Sequence, residues 1–168
     1  MAQAPQAAGA RQAAGQGYIS PAREGRTFQA MGSPIRLKAA GADTGGALEL
    51  FESEFPPGLH LPPHYHRTYD EAFYVLEGEV FATVGDRTAA APAGSFGYAP
   101  RGTVHTFENR GTAPARVVVW QTPAYGFDRL AQELSALPPG PPDMARLGPI
   151  LQRYDVNPVG PPPGQAGR

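Results

Sequence analysis

The stretch GLHLPPHYHRTYDEAFYVLEG at residues 58–78, with its sequel GSFGYAPRGTVHTFEN at residues 94–109, decides how this chain folds. In the first part Gly58 is followed after five residues by His64, after one by His66, after four by Glu71 and after six by Gly78. A gap of 15 residues leads to the second part, where Gly94, Pro100, Gly102, His105 and Asn109 are separated by five, one, two and three residues. Side chains of an extended strand alternate between faces, so His64 and His66 project from one face about 7 Å apart and can converge on one ion. Glu71 opens the apolar run EAFYVLEG, and Gly78 supplies the φ > 0 geometry that lets the run reverse into EVFATVG. Pro100 and Gly102 mark a turn before VHTFEN, whose first inward residue is His105. Neighbouring strands thereby gather three histidines and one carboxylate. A lone histidine in a strand is more often a core or surface residue than a ligand, and His60, which fits no spacing, is read as a loop histidine near the mouth of the site.

Outward from this stretch, the runs ALELFESEF, RTAAAP, SFGYAP and ARVVVWQTP recur at short spacing between turn signals, the punctuation of an antiparallel sandwich or barrel. TFQAMGSPIRLKAAG adds one or two strands, interrupted at Gly32 and Pro34. EAFYVLEG and ARVVVWQTP are apolar on both faces, so something is expected to cover the outside of the barrel there: the amino-terminal strands, the carboxyl-terminal helices or a second copy of the chain. On that basis a homodimer is expected.

Residues 1–26, rich in alanine, glutamine and glycine, read as a mobile tail, residues 27–125 as the β-domain, and residues 126–168 as a helical extension ending in a Pro/Gly-rich tail. In FDRLAQELSAL, Phe127, Leu130, Leu134 and Leu137 fall at helical spacing and predict an amphipathic helix packed on the barrel. PPGPPD breaks it, Asp143 is placed to cap a second helix, MARLGPILQRY, and Pro149 is expected to kink or shorten that helix. The leucine and methionine stripe here is read as core packing.

The net charge of −1, from 14 basic and 15 acidic residues, offers no field for nucleic acid. No apolar run is long enough to cross a membrane, and the amino-terminal residues lack the basic start and continuous apolar run of a secretory leader. Without cysteine the chain has neither disulfides nor thiolate ligands, which fits a cytoplasmic location and leaves imidazole and carboxylate as the strong metal ligands.

The two halves of the central stretch resemble the paired motifs of the cupin superfamily, G-x5-H-x-H-x(3,4)-E-x6-G and G-x5-P-x-G-x2-H-x3-N, at all ten fixed positions. The wider layout is similar to small single-domain bacterial proteins of the quercetin 2,3-dioxygenase-like kind. The resemblance implies an all-β fold, a double-stranded β-helix or jelly-roll barrel with short carboxyl-terminal helices. It also implies that His64, His66, Glu71 and His105 are the ligands of one divalent metal ion. Such a set leaves one or two positions open on an octahedral Fe, Mn, Ni or Co ion, or a distorted Cu ion; Zn is a further possible ion, but it prefers four ligands and would be closed unless Glu71 moved away.

The expected function is a metal-dependent dioxygenase acting on a small planar enol or phenol, with Glu71 as ligand, catalytic base or both. The alternatives are a non-catalytic cupin that binds a small molecule, and an isomerase or epimerase of the same superfamily. Strand alternation puts Phe73 and Val75 on the face of Glu71 and Phe107 on that of His105. With Phe51 and Tyr98, and more weakly Phe55 and Phe96, these are the candidate walls of the substrate pocket. No arginine or lysine cluster accompanies them to hold a phosphosugar.

Overall fold

In the computed structural model, which describes residues 16–138 and 143–160, eleven strands and two helices are formed. Strands β1 (Arg26–Ala30), β2 (Ser33–Ala39), β3 (Glu49–Phe55), β5 (Asp70–Glu77), β8 (Phe96–Ala99) and β10 (Ala115–Thr122) form one antiparallel sheet in the order β1-β2-β3-β10-β5-β8. Strands β4 (His64–Tyr65), β6 (Glu79–Val84), β7 (Arg87–Pro92), β9 (His105–Glu108) and β11 (Asn157–Pro158) form the second, in the order β11-β4-β9-β6-β7. The two sheets close into the double-stranded β-helix expected from the motifs, with helices α1 (Phe127–Ser135) and α2 (Met144–Arg153) after the barrel. Residues 1–15 of the expected tail, residues 139–142 of the proline break and residues 161–168 lie outside the described residues.

Period-two burial fixes the inner face. Glu71, Phe73 and Val75 of β5 and Ala115, Val117, Val119 and Gln121 of β10 are buried. Gly78, at φ 73, makes the β5–β6 turn, and a Cβ there would come within 3.0 Å of Ala115 Cα and the Pro114 carbonyl, so the position admits no side chain. Gly97 is needed for another reason, since a Cβ there would lie inside the Phe73 ring. Buried Asn109, at the end of the second motif, ties loops together: its amide donates to the carbonyls of Phe55 (2.7 Å) and Ala113 (2.9 Å) and its oxygen accepts from Gly111 N (2.9 Å).

Pro34 does not interrupt β2. It is the second residue of that strand, ahead of Ile35, where pairing with β3 begins, so its missing N–H removes no bond to β3. Helix α2 likewise runs through Pro149 to Arg153, and Asp143 caps it by accepting from Ala145 N at 3.0 Å. Residues 18–24 bond to β2: Tyr18 Oη donates to the Lys38 carbonyl (2.9 Å) and Lys38 Nζ to those of Pro21 (2.7 Å) and Glu24 (2.9 Å). Phe127 stacks on Phe51 of β3 at 3.6 Å, and with Leu130, Ala131, Leu147 and Leu151 it belongs to the same core as the barrel. The helices leave the outer face of β5 and β8 uncovered, where Tyr74 (41%), Leu76 (37%), Phe96 (61%) and Tyr98 (47%) are exposed.

Candidate metal centre

His64, His66, Glu71 and His105 offer ligand atoms that all lie within 4.8 Å of one another. Both sheets contribute. His64 on β4 pairs directly with His105 on β9, His66 lies just past β4, and Glu71 enters from β5 of the facing sheet beside Gln121 of β10. An octahedral shell with bonds of ~2.15 Å separates its donors by about 3 Å (adjacent) and 4.3 Å (opposite); the separations of 3.4 and 3.5 Å from Glu71 to His105 and His66, and of at most 4.8 Å across the set, are close to that size.

Each imidazole is turned by a backbone carbonyl. His64 Nδ1 bonds to the Pro62 carbonyl (2.9 Å), His66 Nδ1 to that of Asp155 (3.0 Å) and His105 Nδ1 to that of Thr103 (3.0 Å). A carbonyl can only accept, so every Nδ1 carries its proton and each neutral ring turns a bare Nε2 inward. Nε2 of His66 and of His105 are buried and have no hydrogen-bond partner. Their distances to the Glu71 carboxylate, 3.5 and 3.4 Å, set bare imidazole nitrogens against carboxylate oxygens, acceptor against acceptor, with no hydrogen between them, an arrangement that a shared cation relieves. Orphaned buried acceptors around a buried carboxylate are the donor set a divalent transition ion satisfies, so the residues fit a metal.

The electrostatics agree. Burial, with His105 and His66 alongside, pushes the His64 imidazole down to about 4, so that it stays neutral at physiological pH. Burial would raise the Glu71 carboxyl, but the imidazoles of His105 and His66 more than offset this and hold it well below the usual carboxylate range. Burial would lower His105, and its contact with the Glu71 carboxylate raises it instead.

Beside the cluster lies a cavity of about 150 Å³ whose walls are almost wholly apolar. Phe51, Phe55 and Phe107 line it. Phe73 and Val75 do not. Phe73 packs edge-on to Phe107 at 4.8 Å, and Val75 is fully buried, so both are core further along the strand from Glu71. Tyr98 and Phe96 point the opposite way. The register pairs Glu71 with Ala99 and Phe73 with Gly97, making those two the inward residues of β8 and turning Phe96 and Tyr98 out. The leucine and methionine stripe is core, but its residues Leu130, Leu134, Met144, Leu147 and Leu151 also form the outer wall of the cavity. His60 is exposed, bridges to Glu108 and takes no part.

Three contributors escaped the motif reading. Gln121 donates from Nε2 to Glu71 Oε2 at 3.0 Å, the same carboxylate oxygen that faces His66 Nε2. Asp155 turns His66 from a distant part of the chain, and Glu49 anchors α1. Strand parity would have placed Gln121 on the inner face; nothing local in the sequence points to Asp155.

Residues 51–121 match the cupin domain family, Cupin_2. Germin-like protein 1-1 of Oryza sativa subsp. japonica is 34% identical over 111 residues, 62% of this chain and 51% of that protein. Quercetin 2,3-dioxygenase of Bacillus subtilis (strain 168) is 30% identical over 90 residues, 54% of this chain and 27% of the enzyme. The chain thus spans about half the length of the first of these relatives and about a quarter of the second. Tetracenomycin polyketide synthase protein TcmJ of Streptomyces glaucescens is 29% identical over 145 residues, covering 86% of this chain and 82% of that protein. An RmlC-like cupin from Shewanella frigidimarina superposes with a TM-score of 0.55 over 65% of this chain and 93% of that one; at 18% identity it shares the fold. Among the described residues no helix is long and apolar enough to cross a membrane.

Proposed function

We propose that this protein is a mononuclear metal-dependent oxygenase acting on a small enolisable or phenolic compound with an apolar ring. The observation that carries the reading is the placement of a three-histidine, one-carboxylate cluster in the wall of an apolar cavity that no described lysine or arginine lines. A phosphosugar or a polycarboxylate would find no counter-charge there, whereas a planar ring would lie against Phe51, Phe55 and Phe107. Size sharpens the choice: an apolar cavity of about 150 Å³ accommodates a molecule the size of benzene. The substrate class supported is therefore a one-ring phenol, catechol or cyclic 1,3-diketone, and a flavonol would enter only with displacement of α1 and α2. The relative matched along most of its length is named as a polyketide synthase protein, and polyketides are chains of enolisable β-ketones.

His64, His66, Glu71 and His105 would hold the ion, one of Fe, Mn, Ni, Co or Cu, and when bound it would supply Lewis-acid polarisation of the substrate oxygen and a meeting point with dioxygen. The chain supplies the rest. The imidazoles are turned Nε2-inward by the carbonyls of Pro62, Asp155 and Thr103, and the apolar walls exclude water from the ring. With the three imidazoles committed as ligands, Glu71 is the base for the enol or phenol proton, held at Oε2 by Gln121. The protein is proposed to work as a homodimer, a second copy covering Tyr74, Leu76, Phe96 and Tyr98.

The test is oxygen uptake by protein loaded separately with each of the five metals, against one-ring catechols, cyclic 1,3-diketones and flavonols, under air and under nitrogen. Glu71→Gln keeps an oxygen for the metal but cannot take a proton, so activity should fall about 100-fold or more with metal content retained. Turnover unchanged under nitrogen would replace the oxygenase with an isomerase, and tight binding of unchanged compounds without turnover would replace it with a binding protein.

A further inference from the structure

The three histidines are anchored in unequal ways. His64 and His105 bond to carbonyls two residues back in their own segments, Pro62 and Thr103, contacts that local chain geometry forms by itself. The anchor of His66 comes from 89 residues away, the backbone carbonyl of Asp155 at 3.0 Å. That residue lies beyond α2 and outside the segment, 51–121, that matches the family.

The segment carrying Asp155 is built to stay seated. Asp155 is buried and sits at φ 55, in the left-handed region that aspartate tolerates better than most residues. One oxygen of its carboxylate, Oδ2, accepts from Arg67 N (2.7 Å), Thr68 N (2.8 Å) and Thr68 Oγ1 (2.7 Å), the two residues that follow His66. Asn157 locks the other side. Its Nδ2 donates to Asp155 Oδ1 (2.7 Å), to the Asp155 carbonyl (3.0 Å) and to the Tyr65 carbonyl (3.2 Å). Strand β11 then pairs Asn157 with Tyr65 and Pro158 with His64, and Val159 N donates to the Pro63 carbonyl at 2.8 Å. The backbone on both sides of His66 is thereby bonded to residues 155–159.

We infer that Asp155 is a positioning residue of the metal centre, and that seating of Tyr154–Pro158 and loading of the ion stabilise one another. The reasoning rests on the metal-binding reading above. A ligating imidazole depends on its second nitrogen's partner for tautomer and ring plane, and loss of such a partner typically weakens metal binding about 10- to 100-fold. The carboxylate clamp is what holds the Asp155 carbonyl against His66, so the side chain acts on the ion through the backbone. By linkage, an ion that binds better with the segment seated must also favour the seated state.

The experiment is a Co(II) titration of the full chain, followed by visible absorption, for wild type, Asp155→Ala, Asp155→Asn and Arg153→Ala. Asp155→Ala should weaken Co(II) about 10- to 100-fold and alter the absorption band, because His66 is no longer held in its ring plane. Asp155→Asn keeps an acceptor oxygen for Arg67 N and Thr68 and tolerates the positive φ but sets its NH2 against Asn157 Nδ2, and should restore part of the affinity. Arg153→Ala breaks the ion pair to Glu133 in the same region without touching His66, and should bind Co(II) as wild type does. An Asp155→Ala protein with the wild-type constant and spectrum but a lower melting temperature would overturn the inference, leaving Asp155 a purely structural residue. If that variant does not fold, hydrogen exchange on wild type decides: the amides of Arg67, Thr68 and Val159 should slow on addition of Co(II), and unchanged rates would overturn it equally. Wild type that binds no Co(II) is a different failure, because it removes the metal-binding reading itself.

Discussion

Replacing Glu49 tests whether a buried carboxylate holds α1, and with it the outer wall of the cavity, by charge or by its geometry as an acceptor. Glu49 is fully buried on β3. Its Oε1 accepts from Tyr125 N (2.8 Å) and Phe127 N (2.9 Å), and Oε2 also reaches Phe127 N (2.9 Å), at the first residue of the helix. Burial raises its carboxyl above the ordinary 4.5 despite these bonds. A carboxyl raised on folding contributes stability that is present below 4.5 and lost as pH rises through its folded value, so at pH 7 the charge is not the source of the anchoring. The acceptor is, and Oε1 alone serves both donors. Glu49→Gln, which keeps that oxygen, should therefore cost no more than about 1 kcal/mol. Glu49→Ala leaves two buried N–H groups without an acceptor, each unsatisfied donor costing roughly 1–3 kcal/mol, for a loss of about 2–6 kcal/mol. Against a total stability of about 5–15 kcal/mol this is a large fraction. Urea unfolding of the metal-free variants at pH 7 measures both. An alanine variant within about 1 kcal/mol of wild type, or a glutamine variant as damaged as the alanine one, would refute the reasoning.

Two further outcomes are expected. Metal-free protein should be most stable near pH 6.5: His64, lowered from 6.5 to about 4, and Glu71, lowered from 4.5, contribute stability above those ordinary values that is lost as pH falls through their folded pKa values, while His105, raised from 6.5, contributes below that value and is lost in the window above it as pH rises through its own. Across that upper window a proton on His105 competes with the ion, so Co(II) affinity should rise with pH while metal-free stability falls; parallel trends in melting temperature and titration would count against the His105–Glu71 pair. The outer face of β5 and β8 gives the other: wild type should scatter light as a dimer at micromolar concentration and Phe96→Glu as a monomer, whereas a wild-type mass near 17.7 kDa would end the dimer proposal.

What could be read in the sequence was whatever local geometry dictates. The spacing of His64, His66, Glu71 and His105 carried the centre because strand parity and two turns suffice to bring them together, and Asn109 and Gly78 fall where backbone closure demands them. Parity without register was not enough for the walls. Phe96 and Tyr98 alternate correctly with Gly97 and Ala99, but only the pairing of Gly97 with Phe73 says which pair faces in. The same limit applies to burial along β5, where Phe73 shares the face of Glu71 yet is filled over by Phe107. Least legible was Asp155, whose neighbours offer neither a ligand spacing nor apolar periodicity. Its role follows from a strand of two residues, Asn157–Pro158, too short to leave a pattern and positioned by the docking of α2. A centre read from its motif alone would therefore look complete at residue 105, whereas the orientation of His66 is decided 50 residues later.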